Sequence, residues 1–124
     1  MTPELVLVVP CYNEAARLDP EAFLHCLATH PGVQLVLVND GSVDGTGEIL
    51  DRIRAAAPAS VTIVRQSINR GKGEAVRAGM LAALSVRPRV IGFFDADLST
   101  PLQAVDDFLA VLRTRPAVEL VLGS

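Results

Sequence analysis

The chain has 124 residues, half of them hydrophobic, and 11 lysines and arginines against 14 aspartates and glutamates leave a formal net charge of −3. One domain of ordinary size is expected, with enough apolar residues for a core, which excludes a disordered chain. The near balance of charge disfavours a nucleic-acid binder, and no apolar run approaches the ~18 residues of a membrane span.

Pro3 and Glu4 stand where the basic region of a signal peptide would lie. The sequence therefore predicts a soluble, cytoplasmic protein with reduced thiols. Cys11 and Cys26 form no metal spacing, and Cys26 falls on an apolar helix face. His25 and His30 match no zinc motif and are expected to be structural or solvent-facing.

The first strand is expected over residues 4–10, "ELVLVVP". Pro10 should end its ladder, leaving Tyr12, Asn13 and Glu14 beyond the strand. Tyr12 is the single tyrosine and there is no tryptophan. Its ring can stack on a base, while Asn13 and Glu14 can bond to a base or ribose. The competing reading is a helix-start turn, with Asn13 as cap and Glu14 favouring the helix dipole.

A helix over 20–29 leads to a second strand over 34–39 and then "NDGSVDGTGEIL". Gly41 and Gly45 suit turns, and Asp44 or Thr46 can cap the helix expected over 45–57, where Ile49, Leu50 and Ile53 share a face. Asp40 at the strand's end is either a turn residue or an acceptor for a base N–H.

A third strand over 61–65 precedes "SINRGKGEAVRAG". Gly71 and Gly73 flank Lys72 at the start of a helix over 73–86, where backbone can approach an anion. Arg70 and Arg77 add positive charge; the alternative is a solvated loop. Neither a P-loop nor a GxGxxG is present. Val76, Met80 and Leu84 repeat at helical spacing and predict the buried face.

A fourth strand over 90–95 runs into "FFDADLSTP". In extended backbone, Asp95 and Asp97 project to one side and form a hard anionic site suited to Mg²⁺ or Mn²⁺ with a ligand diphosphate. The plain alternative is two aspartates in a solvated turn. A helix over 101–113 follows, with Thr100 as cap, Pro101 in its first turn, Gln103 in a capping box, and Leu102, Val105, Leu109 and Leu112 on one face. A last strand is expected over 118–123.

Strand–helix alternation of this kind predicts an α/β fold, a Rossmann-like, mostly parallel sheet flanked by helices. Ligands of such sheets bind beyond the carboxyl ends of the strands, where a ring, an acceptor, a basic loop and a carboxylate pair would meet. That set suits a nucleoside diphosphate with a divalent cation.

"VVPCYNEAARL", "LVNDGSVDGT", "NRGKGEAVRAGM" and "FFDADLSTP", in this order, resemble the donor-binding half of glycosyltransferase family 2, which has the GT-A fold. The polyprenyl-phosphate branch, dolichyl-phosphate glucosyltransferases and mannose synthases, is the nearest likeness. The resemblance implies that Pro10, Tyr12, Glu14, Val38 and Asp40 hold the nucleoside. It implies that Asp95, Ala96 and Asp97 hold the diphosphate and metal, with Asp97 the more direct ligand. Ser99 stands where mannose synthases often carry Gln, which favours the glucosyl type, and Asn39 where many relatives carry Asp.

Relatives continue well past "LGS", so residues 1–124 are expected to form one nucleotide-sugar-binding domain, the N-terminal part of a longer, here truncated, catalytic domain. The implied reaction is inverting, metal-assisted transfer of glucose or mannose from a UDP- or GDP-sugar to a polyprenyl phosphate. Such an acceptor is already anionic and needs no strong base, so no catalytic residue is assigned. Lys72 and Arg70 would help neutralise the leaving diphosphate. The protein would then sit peripheral to the inner face of a membrane. Alternatives are transfer to a saccharide or protein hydroxyl, a nucleotide-sugar-binding module inactive on its own, and a flavodoxin-like domain.

Overall fold

The computed structural model describes residues 3–94, 105–107, 109–110 and 120–122. Their elements run β1 (Leu5–Cys11), α1 (Pro20–Thr29), β2 (Val33–Asp40), α2 (Thr46–Ala56), β3 (Val61–Gln66), α3 (Lys72–Leu84), β4 (Val90–Phe93) and β5 (Leu120–Leu122). All pairings are parallel, in the order β3-β2-β1-β4-β5. The chain winds outward from β1 to β3 and crosses back to place β4 on β1's other side. The switch point of the sheet therefore lies at the carboxyl ends of β1 and β4.

Continuous apolar strands require cover on both faces, and both are covered here. Leu5, Leu7, Val9 and Cys11 of β1 join Leu35 and Leu37 of β2 beneath Phe23 and Cys26 of α1 and Leu50 and Ile53 of α2. Val105 and Leu109, in the helical residues near the C-terminus, pack on the same layer. The intervening residues Val6, Val8, Val36 and Val38 face Ala75 and Ala83 of α3. This alternation explains why β1 shows no polar position.

The face of α3 differs from the sequence expectation by one residue. Ala75, Gly79 and Ala83 are its buried positions, whereas Leu84 is 59% exposed and Val76 and Met80 are half-buried. The cause is close approach: a Cβ on Gly79 would lie 2.3 Å from Val8 Cγ1 and 2.8 Å from Val38 Cγ2. Small residues face the sheet so that the helix can lie against it, and the larger ones are turned aside.

The end of β1 also moves, whereas α1 keeps the expected residues 20–29. β1 continues one residue beyond Pro10, which pairs with Val38, so the proline does not end the ladder. α1 begins at Pro20 with Asp19 as its cap, the Asp19 carboxylate accepting the Ala22 N–H at 3.2 Å. The turn at Asn13 is therefore not a helix start. Residues 95–104, which include Thr100, Pro101, Leu102 and Gln103, lie outside the described residues, as does Leu112.

Candidate nucleotide-sugar site

The loop after β1 is fastened to the turn after β2. Asn13 has a left-handed φ of 50°, tolerated by asparagine better than by most residues. Its side-chain oxygen accepts the Val43 N–H at 2.9 Å, while its own N–H donates to Ser42 Oγ at 3.0 Å. Glu14 N–H donates to Thr46 Oγ1 at 2.9 Å, and Ala15 N–H to the Asp44 carboxylate at 3.3 Å. Asn39 closes the turn from inside, its side-chain oxygen accepting the Ser42 N–H at 3.1 Å.

Asp44 also accepts the N–H of Thr46, at 2.9 Å, and its hydroxyl. The hydroxyl bond is the main cause that holds the Asp44 carboxyl below its usual range, with the N–H bonds from Thr46 and Ala15 adding to it. Asp44 thus supports the start of α2, although Gly45 occupies the cap position.

The turn after β2 is in turn fastened to the loop before α3. Asp40 is 2% exposed, and a buried carboxylate must be hydrogen-bonded. Its Oδ1 accepts the Arg70 N–H at 2.8 Å; its Oδ2 accepts the Gly71 N–H and the Asn69 amide, each at 3.1 Å. Asn69 also donates to the Asp40 carbonyl at 3.3 Å. Gly41, with φ 69°, lets these loops touch, since a Cβ there would sit 2.3 Å from the Ile68 and Asn69 backbone.

From this loop the chain enters α3 through Gly71, whose φ of 94° suits only glycine, and the Gly71 carbonyl accepts the Ala75 N–H at 3.0 Å. Lys72 follows, its Nζ 6.0 Å from the centre of the Phe93 ring at the end of β4. The Phe94 N–H donates to Val8 O at 3.0 Å and carries the pairing of β4 one residue further. The basic loop and the end of β4 therefore share one side of the switch point.

Of the expected site residues, Tyr12, Asn13, Glu14, Asp40 and Lys72 occupy this one sheet edge. Tyr12 is 45% exposed. Glu14 is paired through its carboxylate with Arg17 at 2.8 Å. Pro10 is half-buried beside Val38, whose side chain is buried against α3. Asp95, Ala96, Asp97 and Ser99 lie outside the described residues. Among the described residues, no group of three or more His, Cys, Asp or Glu could hold a metal ion.

Ser42, Thr46 and Asn69 were not singled out from sequence as site residues, and each braces two loops. No local spacing announces this role, because the partner that each reaches across the loops is 29 to 32 positions away. Cys11 lies under the edge but is no nucleophile near neutral pH: burial, and then the Glu14 charge, push its thiol up to about 12. His30, expected to be structural or solvent-facing, bonds through Nε2 to the Asp106 carboxylate and through Nδ1 to Cys26 O at 3.0 Å.

The sequence matches the family model of Glycosyl transferase family 2 over residues 6–121. The chain belongs to that family. A dolichyl-phosphate beta-glucosyltransferase of Drosophila melanogaster is 35% identical over 120 residues, covering 89% of this chain and 36% of that protein. A polyprenol monophosphomannose synthase of Mycolicibacterium smegmatis is 33% identical over 112 residues, covering 85% and 42%. In fold, the chain superposes on a mannosyltransferase of Pyrobaculum calidifontis, solved with GDP-Man and Mn²⁺, at a TM-score of 0.71 and 24% identity, covering 90% of this chain and 33% of that one.

This family 2 chain thus has the parallel, helix-flanked sheet of its GT-A neighbours and covers part of their fold. It spans about a third of the length of the first curated relatives it matches. Among the described residues, no helix is long and apolar enough to cross a membrane.

Proposed function

We propose that this chain binds the nucleotide diphosphate-sugar donor of an inverting family 2 glycosyltransferase whose acceptor is a polyprenyl phosphate. The observation that carries the reading is the bracing of three β–α loops at one sheet edge, Asn13 to Val43 and Asp40 to Arg70 and Gly71. Tyr12 stacks on the base. Pro10, Asn13, Glu14, Val38 and Asp40 surround the nucleoside, and Lys72 meets the diphosphate. Asp95, Ala96 and Asp97 complete the diphosphate side, with Asp97 and Asp95 as the carboxylates for Mg²⁺ or Mn²⁺. The Mn²⁺ and GDP-Man of the Pyrobaculum neighbour support a divalent cation here. Two carboxylates one residue apart in the sequence are the donor type such a hard cation takes, and when bound it would supply positive charge beside the diphosphate.

The relatives' names support a polyprenyl-phosphate acceptor. A phosphate acceptor is anionic near neutral pH, so the protein's work is to hold donor and acceptor in line and to balance the charge of the departing diphosphate. Such an acceptor calls for a cytoplasmic protein that works peripherally at a membrane surface.

The test is a calorimetric titration of the chain with UDP and GDP, each with and without Mn²⁺. Cation-dependent binding of one nucleotide, lost in Asp97→Ala, supports the site and identifies the base. Binding without transfer from the matching nucleotide-sugar to a polyprenyl phosphate or a sugar hydroxyl marks a donor-binding module. Absence of nucleotide binding by the folded chain overturns the reading.

A further inference from the structure

We infer that Asp40 and Asn69 form a latch that sets the backbone of residues 69–71 and thereby positions Lys72 and the start of α3. For its consequence at the diphosphate, the inference rests on the nucleotide-sugar reading above.

The latch follows from where the hydrogen bonds go. The Asp40 carboxylate is out of water, and among the described residues its donors come from the segment 69–71: two backbone N–H groups and the Asn69 amide. Segment 69–71 has no regular structure of its own, and α3 has no side-chain cap bond at Gly71. Its geometry therefore depends on the carboxylate across the loop gap. Gly71 is the link. Its N–H points to Asp40 while its carbonyl accepts from Ala75 in the first turn of α3, an arrangement that its φ of 94° permits.

A carboxylate has about four acceptor positions, and the three donors among the described residues leave one. Asp40 can thus accept a base N–H only while keeping the loop, or by releasing Asn69. Either way the nucleoside side and the basic side of the edge share one charged group. Asn69 is a positioning residue in this scheme: it acts on Lys72 through Asp40 and the backbone, not by touching the donor.

The test combines amide exchange with nucleotide binding in the 124-residue chain. In the ligand-free protein, Asn69→Ala should raise exchange at Arg70 and Gly71 by about tenfold, the loss of one to two hydrogen bonds' worth of protection. Asp40→Asn, which turns an N–H donor toward the backbone donors, should raise it further. Should Asp40→Asn fail to fold by circular dichroism, Asn69→Ala alone decides, since it leaves the buried carboxylate its two backbone partners.

The second readout compares uridine with UDP, and guanosine with GDP. Asn69→Ala should reduce the affinity gained from the diphosphate several-fold while leaving nucleoside affinity near that of the parent. Equal weakening of nucleoside and diphosphate overturns the positioning role, because a merely structural defect acts on both. Unchanged exchange at Arg70 and Gly71 overturns the latch whether or not nucleotides bind. Faster exchange in a chain that binds no nucleotide supports the latch and refutes the donor reading instead.

Discussion

The Asn13 side-chain oxygen accepts the N–H of Val43, 30 positions along the chain, at 2.9 Å. Asn13 holds this bond from a left-handed backbone, so two costs are separable. Asn13→Gly should lose only the hydrogen bond, about 1 kcal/mol. Asn13→Ala should also strain the backbone and lose about 2–3 kcal/mol. Urea midpoints at constant m-value give the order; an alanine variant as stable as the glycine one would contradict the account.

Gly79 and Gly73 sit in the same helix and should respond in opposite directions to alanine. At Gly79 the added carbon meets Val8 and Val38 of two adjacent strands, so overpacking of about 1–3 kcal/mol outweighs the helix-propensity gain of about 1 kcal/mol. At Gly73 nothing lies within 4 Å, and Gly73→Ala should gain up to about 1 kcal/mol. Thermal midpoints of the pair decide; a stabilising Gly79→Ala would mean that α3 stands further from the sheet.

Tyr12, nearly half exposed with its ring at the site edge, should matter for binding and little for folding. Tyr12→Phe is expected to keep nucleotide affinity and Tyr12→Ala to weaken it by roughly tenfold, at the lower end of what base stacking contributes. Equal affinities across the three proteins would remove Tyr12 from the site.

Stability should fall at both ends of the pH scale, for opposite reasons. Asp44 is held below its ordinary carboxyl range by the Thr46 hydroxyl and by N–H groups. Its contribution is present above an unfolded pKa near 4 and lost as pH falls through the lower folded value. Asp44→Asn should flatten the acid limb. Burial raises Cys26 to about 11, with the Asp106 charge adding, and Cys11 to about 12. Both thiols therefore favour folding fully below the unfolded value near 8.5, and that contribution disappears as pH rises toward 11 and 12. The alkaline limb of a Cys11→Ala, Cys26→Ala double variant should be shallower than the parent's, and a limb of equal slope would contradict the assignment.

The parallel sheet could be read from the sequence because its strands are continuous apolar runs separated by helical spacing, and β2 and β3 lie within a residue of the expected bounds. The buried side of α3 was misread because a hydrophobic stripe draws attention to Val76, Met80 and Leu84, while close packing needs Ala75, Gly79 and Ala83. The bounds of α1 were legible, 20–29 as expected, with Asp19 as cap and Pro20 in the first turn, and only the competing reading of Asn13 as a cap is not met. The placement of Tyr12, Asn13, Glu14, Asp40 and Lys72 at one sheet edge was legible through the strand-end rule. The partners of Asp40 were not, since a carboxylate's hydrogen bonds across two loops leave no periodic trace.

The order of the sheet also dictates when its edges close during synthesis. β1 pairs with β2 as soon as the first 40 residues are available, and α2 and β3 extend that side next. The opposite edge of β1, which receives the N–H groups of Val90 and Phe94 on Glu4 O and Val8 O, stays unpaired until β4 arrives. Until then β1, with no polar residue, presents an open ladder, the geometry that recruits a second strand from another molecule. Nascent chains halted after α3 should accordingly associate, as light scattering of a 1–86 fragment would reveal, and the arrival of β4 closes this edge of β1.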